Sequence, residues 1–179
     1  MRVLVVYESM YGNTHVVASN IADGLRAAHE VTLVPVADAT ADLVAEADLL
    51  VVGAPTHMHG LSTVSSRRAA GKAAAKPESE LTLDLHAGGV ALRDWLSGLA
   101  GGHVLAAAFD TRMAGAPVLT GRASRGVSKL LQRHGYRLIT PPESFLVTKL
   151  NTLVDGESTR AREWGAALAA TADQAPPAV

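Results

Sequence analysis

Residues 3–14 read VLVVYESMYGNT, and the two halves of this stretch differ in character. Residues 3–7 are a nearly continuous apolar run, β-branched at three of five positions. Such a run predicts a strand buried on both faces at the centre of a parallel sheet. Residues 8–14 are a turn-forming cluster, and behind them Val17, Ile21, Leu25 and Ala28 recur along one helical face. The loop therefore joins the carboxyl end of a central strand to the start of a helix. There the first N–H groups have no intrahelical partner and the helix dipole is positive. Ser9, Asn13 and Thr14 supply short polar side chains at this corner, and Gly12 lets the backbone come close. Such a corner can bind a phosphate without Lys or Arg. An ordinary strand–turn–helix corner with a Ser or Thr cap is the alternative reading of the same residues.

The 179 residues, 48% of them hydrophobic, suit one domain with a packed core. A net charge of −1, from 16 basic and 17 acidic residues, points to neither nucleic acid nor an anionic membrane as partner. The absence of cysteine removes disulfides, thiolate nucleophiles and Cys-based metal sites, so redox work would need a cofactor. With no signal peptide and no long apolar span in view, the expectation is a cytoplasmic protein.

Further strands are expected at residues 31–36, 49–52, 104–109 and 136–140, the last interrupted by Pro141-Pro142 and extended by residues 145–147. Helical patterns fall between them. Thr40 or Asp38 caps a short one, Leu92, Trp95, Leu96 and Leu99 space the next, and Ser124 caps another that stops near His134-Gly135. Ala161, Trp164, Leu168 and Ala172 define the last. Five strands alternating with helices predict a parallel sheet in the order 2-1-3-4-5 with helices on both faces, a three-layer α/β/α sandwich. Ligands of such sheets bind beyond the carboxyl ends of the strands, at the switch point between the first and third. Three loops meet there: residues 8–14, 54–60 and 110–119. Residues 61–89 are too long for a plain connection and read as a surface excursion or a lid, with Leu81, Leu83 and Leu85 alternating as in a short edge strand. The domain is expected to span 1–172, with 173–179 as a tail.

The first loop, ESMYGNT, resembles the phosphate-binding loop of the flavodoxin-like family, whose pattern is Ser/Thr-x-Thr-Gly-x-Thr. Tyr11 stands where that pattern has its first Thr, which sets the hydroxyl farther from the backbone. The second loop, GAPTHMHG, resembles the one that lies along the flavin in that family. The third, FDTRMAG, resembles the one that holds the pyrimidine side of the ring. The resemblance implies bound FMN. Ser9, Met10, Tyr11, Gly12, Asn13 and Thr14 would lie about the phosphate. Ala54, Pro55, Thr56, His57, Met58, His59 and Gly60 would lie along the ring, and Asp110, Thr111 and Arg112 at its pyrimidine end. A flavin-facing peptide would fall near Met58–Gly60, freed by positive φ at Gly60. His57 and His59 also invite a metal, but no third ligand has a convincing spacing, and no metal is expected. Neither the second nor the third loop carries the Trp or Tyr that the family sets against the ring.

The resemblance implies a non-covalent FMN protein that exchanges electrons with a redox partner protein or a small-molecule acceptor. Two alternatives stay open: an FMN-dependent NAD(P)H:quinone reductase-like oxidoreductase, and a flavin-free interaction module on the same fold. No residue is assigned a catalytic role of its own, since the flavin carries the redox chemistry.

Overall fold

A computed structural model describes residues 1–102 and 104–176. Its centre is a parallel sheet in which β1 (Arg2–Tyr7), β2 (Glu30–Pro35), β3 (Leu49–Pro55) and β4 (Leu105–Met113) lie in the order β2-β1-β3-β4. The outer edge of β4 carries two short strands in succession. β5 (Arg137–Leu138) pairs with Leu105 and Ala106, and β6 (Glu143–Val147) pairs with Phe109 through Met113. The expected order 2-1-3-4-5 holds, but the fifth position is split, because proline cannot donate to a ladder and Pro141-Pro142 fall between the two pieces.

Side-chain alternation sends the two faces of the sheet into separate cores. Val3, Val5, Leu49, Val51, Leu105, Ala107 and Phe109 pack under α1 (Asn13–Leu25) and α7 (Glu157–Gln174). Leu4, Val6, Leu50, Val52, Ala106 and Ala108 pack on the other face, which is covered by α2 (Ala41–Glu46), α4 (Leu92–Ser97) and α6 (Ala123–Arg133). The backbones of α1 and α7 approach closely. A Cβ on Gly24 would lie 2.1 Å from the Arg162 carbonyl oxygen, and one on Gly165 2.2 Å from that of Ile21. Phe109, Phe145 and Trp164 close this layer edge to face, with ring centroids 6.0–6.3 Å apart.

Local signals account for most element ends. Thr40 caps α2 by accepting the Leu43 N–H at 3.3 Å, and Gly135, at φ 87°, follows the end of α6. Three expectations are corrected. α1 stops at Leu25, leaving Ala28 exposed in the following turn. Ser124 does not cap α6; it sits buried inside the first turn, and the cap position is Arg122. Leu81, Leu83 and Leu85 form no strand, and Leu85 projects into solvent.

Residues 61–89 fold back over the first loop. A capping box between Thr63 and Ser66 starts α3 (Val64–Ala74), whose Ala70 packs on Met10 and Ala87. The Arg67 guanidinium donates to the carbonyls of Ala87 and Gly89 at 2.7 and 2.6 Å, and the Asp84 N–H donates to the Met10 carbonyl at 2.9 Å. α7 runs to Gln174, two residues beyond the expected domain end, and Arg137 donates to the Pro176 carbonyl. The rest of the expected tail, residues 177–179, lies outside the described residues.

Candidate functional site

The first loop turns from β1 into α1 through Gly12, which sits at φ 90° in the left-handed region. The first ladder bond of α1 runs from the Val16 N–H to the Gly12 carbonyl at 3.0 Å, and no side chain caps the helix. The N–H groups of Asn13, Thr14 and His15 thus have no intrahelical partner. Ser9 is buried and shapes the turn: its Oγ accepts the Gly12 N–H at 3.1 Å. The Tyr11 hydroxyl donates to the Ala70 carbonyl at 3.0 Å, so it ties the loop to α3. Asn13 donates from Nδ2 to the Asn151 carbonyl at 2.8 Å, and the Thr14 and Thr111 hydroxyls are 2.7 Å apart in a buried pair. Two carboxylates lie at the loop: its own buried Glu8, whose Oε2 accepts the Leu92 N–H at 2.7 Å, and Asp84. Asp84 lies 3.6 Å from His15 Nδ1, and His15 stacks on Tyr7 at 4.7 Å. Burial, with help from Asp84 and Asp38, pushes the Tyr7 phenol up to about 12.

The second loop is a two-residue reverse turn. The His57 N–H donates to the Gly60 carbonyl at 2.8 Å and the Gly60 N–H returns to the His57 carbonyl at 3.0 Å. Such a turn needs left-handed backbone at both central positions, and Met58 (φ 44°) and His59 (φ 79°) supply it. The expected positive φ at Gly60 is therefore displaced onto two side-chain-bearing residues, at a cost of roughly 1–2 kcal/mol each. The turn is braced from the third loop. The Arg122 N–H donates to the His59 carbonyl at 3.3 Å, and a Cβ on Gly121 would fall 2.0 Å from His59 Cα. Thr56 Oγ1 accepts the Ala123 N–H at 3.0 Å, joining the same loop to the start of α6. Burial lowers the His57 pKa and Arg67 adds to this, against an opposing pull from Glu8.

β4 runs on through Asp110, Thr111 and Arg112, past the expected strand end at Phe109, so these three are strand and not loop residues. Asp110 therefore keeps the alternation of Ala106 and Ala108 and is fully buried, accepting the Ser124 N–H at 2.7 Å. It anchors α6 and does not line a cavity. Burial raises its pKa, and the Ser124 and Arg122 neighbours only partly offset this. Arg112 donates from one nitrogen to the carbonyls of Met113 and Gly115 and to Thr120 Oγ1, all within 3.2 Å, and its Nε is buried without a partner. It thereby holds the third loop, including the one-turn α5 (Pro117–Thr120).

These loops enclose a cavity of about 440 Å³ beyond the carboxyl ends of β1, β3 and β4. Among the residues expected at the site, Met10, Tyr11, Asn13 and Thr14 line it, with Pro55, Thr56, His57, Met58 and His59. Thr111 and Arg112 complete the wall from β4, whereas Ser9, Gly12, Ala54, Gly60 and Asp110 stand behind it. Met113 and Leu119 of the third loop also line it, as does Ala70 from residues 61–89; Thr120, Val147 and Asn151 come from beyond the three expected loops. Asn151, at φ 58°, carried one readable sign, since Asn tolerates that conformation in a tight turn. Among the described residues, no carboxylate lines the cavity. The orphaned helix N–H groups, the Thr pair and the Arg112 cation in one cavity wall are a donor set that suits an anionic, phosphate-bearing ligand such as a flavin mononucleotide. Among the described residues, no three His, Asp or Glu side chains converge as a metal site, and no helix is long and apolar enough to cross a membrane.

The sequence profile described as flavodoxin matches residues 5–100. No curated protein sequence matches the chain. Among solved structures, a flavodoxin from the domain Archaea is similar with a TM-score of 0.65 at 18% identity, over 97% of this chain and 99% of that one. Oxidised flavodoxin 1 from Bacillus cereus gives 0.64 at 18% identity, over 99% and 100% of the two chains. The flavodiiron core of Flv1 from Synechocystis sp. PCC6803 gives 0.64 at 18% identity; 98% of this chain is covered but only 37% of that longer one. These likenesses concern the fold.

Proposed function

Since the chain belongs to the flavodoxin family, we propose that its cavity holds FMN non-covalently and that the protein passes electrons between a donor and an acceptor. One observation carries the reading. A cavity at the carboxyl ends of the central strands opens onto the uncapped start of α1 and, among the described residues, has no carboxylate in its wall. The N–H groups at the start of α1, with the Asn13 and Thr14 side chains, take the phosphate dianion. The second loop flanks the ring on one side, and residues 111–120 flank it on the other. Bound flavin supplies one- and two-electron chemistry, while the chain binds it, orients it and sets the field around it. Arg112 is the cation in the wall, and it favours the negative charge that the ring gains on reduction. The partner is a redox protein or a small-molecule acceptor.

The test is a fluorescence titration of the flavin-free protein with FMN, riboflavin and FAD. Quenching that saturates with FMN, at a Kd well below that for riboflavin, is the expected result. Tighter binding of FAD would overturn the mononucleotide assignment. No uptake of any flavin would favour an interaction module on this fold.

A further inference from the structure

We propose that the outer face of α6 is a docking surface for a protein partner that presents an acidic patch. Residues 111–142 carry six of the chain's sixteen basic residues and none of its seventeen acidic ones, so a basic strip crosses an otherwise acidic molecule. Three of the six are committed to the fold. Arg112 holds the third loop, Arg122 donates to Ser144 Oγ and the Pro142 carbonyl, and Arg137 donates to the Pro176 carbonyl. The other three, Arg125, Lys129 and Arg133, are exposed at i, i+4 and i+8 of α6 and span about 12 Å along one side of it. Among the described residues, none of these three side chains has a hydrogen-bond or carboxylate partner. Helix stability does not account for the row. Arg125 stands in the first turn, where the positive end of the dipole disfavours a cation, and α6 has neither a side-chain cap nor an acidic residue there. Like charges at this spacing also repel one another. Carboxylates on a partner relieve both costs.

The strip adjoins the cavity. The Ala123 N–H that opens α6 donates to Thr56 Oγ1, and the Arg122 N–H donates to the His59 carbonyl. A partner on α6 therefore lies beside the second loop, and exposed Val118 and Leu119, just before α6 in the chain, add an apolar edge to the charged face. That this partner exchanges electrons with a flavin rests on the function proposed above; the surface itself does not. The charge pattern selects among occupants. A nucleic acid or an anionic bilayer extends beyond the strip and meets the acidic remainder of the molecule. A compact acidic patch on a folded protein meets the strip alone and is steered to it.

The experiment follows backbone amide signals of the 15N-labelled full chain at low salt, with and without FMN, using poly-L-glutamate as the probe. Signals around Arg125, Lys129 and Arg133 should shift and saturate in both cases. Arg125→Glu combined with Lys129→Glu should raise the half-saturation point by about tenfold or more, without lowering the thermal midpoint. The exposed Arg68 and Lys72 of α3 share the i, i+4 spacing but are followed by Glu78 and Glu80, and their signals should move less. Equal shifts on α3 and α6 would reduce the binding to counterion pairing and overturn the proposal. Unmoved α6 signals would do the same. Tighter binding at α6 of oligothymidylate or of phosphatidylglycerol vesicles would overturn it in favour of a nucleic acid or a membrane, and self-association through α6 without any probe in favour of a second copy. Failure to take up FMN, with the α6 shifts intact, overturns the flavin reading alone.

Discussion

The Thr14 and Thr111 hydroxyls, 2.7 Å apart and buried, tie the first loop to the strand that carries Arg112. A hydroxyl that also meets a phosphate is worth about 1.5–3 kcal/mol, so Thr14→Ala should weaken FMN by roughly ten- to hundredfold. Riboflavin, which lacks the phosphate, should lose far less, and Thr14→Ser should restore most of the difference. Equal losses for both ligands in parallel titrations would place the phosphate elsewhere. His57 supports a second prediction. Burial holds its pKa below the ordinary 6.5, so the unfolded chain binds a proton that the folded one resists. Its neutral form contributes stability that is fully present above 6.5 and lost as pH falls through the folded value. Thermal unfolding followed between about pH 7.5 and 5 should show the midpoint dropping on the acid side. The drop should be shallower in His57→Gln, and an identical profile for the variant would assign the slope to other groups.

At the scale of elements, the second and third loops act as one unit because Gly121 lies flat against His59. Gly121→Ala meets two penalties: a left-handed φ of 78°, and a Cβ 2.0 Å from His59 Cα. Both loops must then part, at about 1–3 kcal/mol for the backbone conformation alone. The expected signature is a similar loss of affinity for FMN and riboflavin, since the ring side is disturbed and the phosphate side is not. Preferential loss of FMN would show that the strain reaches the first loop instead. These loops also mark how far the sequence could be read. Residues 8–14 announce a strand–turn–helix corner through residue type alone, and the chain turns there into the uncapped start of α1. The turn at Met58 and His59 was not legible, because both carry side chains at positive φ and the bracing by Gly121 and Arg122 comes from far along the chain. Asp110 was legible in principle: its even-numbered register continues Ala106 and Ala108 towards α6. Ending the strand at Phe109 hid that, and so put a helix anchor among the ligand contacts. Val147 and Asn151 reach the cavity from a segment beyond the three loops, and the turn that suits Asn151 does not reveal where that segment arrives.

For the molecule as a whole, the order of the sheet followed from apolar runs alternating with helical periodicity, which are strong signals over long segments. What the periodicity could not give is the distance between layers. α1 and α7 close to backbone contact because Gly24 and Gly165 offer no side chain where they meet. In an exposed helix Gly→Ala gains up to about 1 kcal/mol. At Gly165 the new methyl would lie 2.2 Å from the Ile21 carbonyl, and overpacking of this kind typically costs about 1–3 kcal/mol. Repulsion should win, so Gly165→Ala should lower the thermal midpoint by several degrees, at about 2–4 °C per kcal/mol. An unchanged or raised midpoint would mean that the helices can slide apart freely.

The same glycine contact ties the cavity end of the fold to its rear. The front of α1 offers its free N–H groups to the cavity, and its flank is locked on α7, whose residues lie more than a hundred positions later in the chain. Whatever steadies the first turn of α1 also removes opening motions from α7, because neither helix can tilt without breaking the shared contact. Amide hydrogens of α7, far from any flavin atom, should therefore exchange with deuterium more slowly once FMN is added. In Gly165→Ala that distant protection should fade, even where the nucleotide still binds.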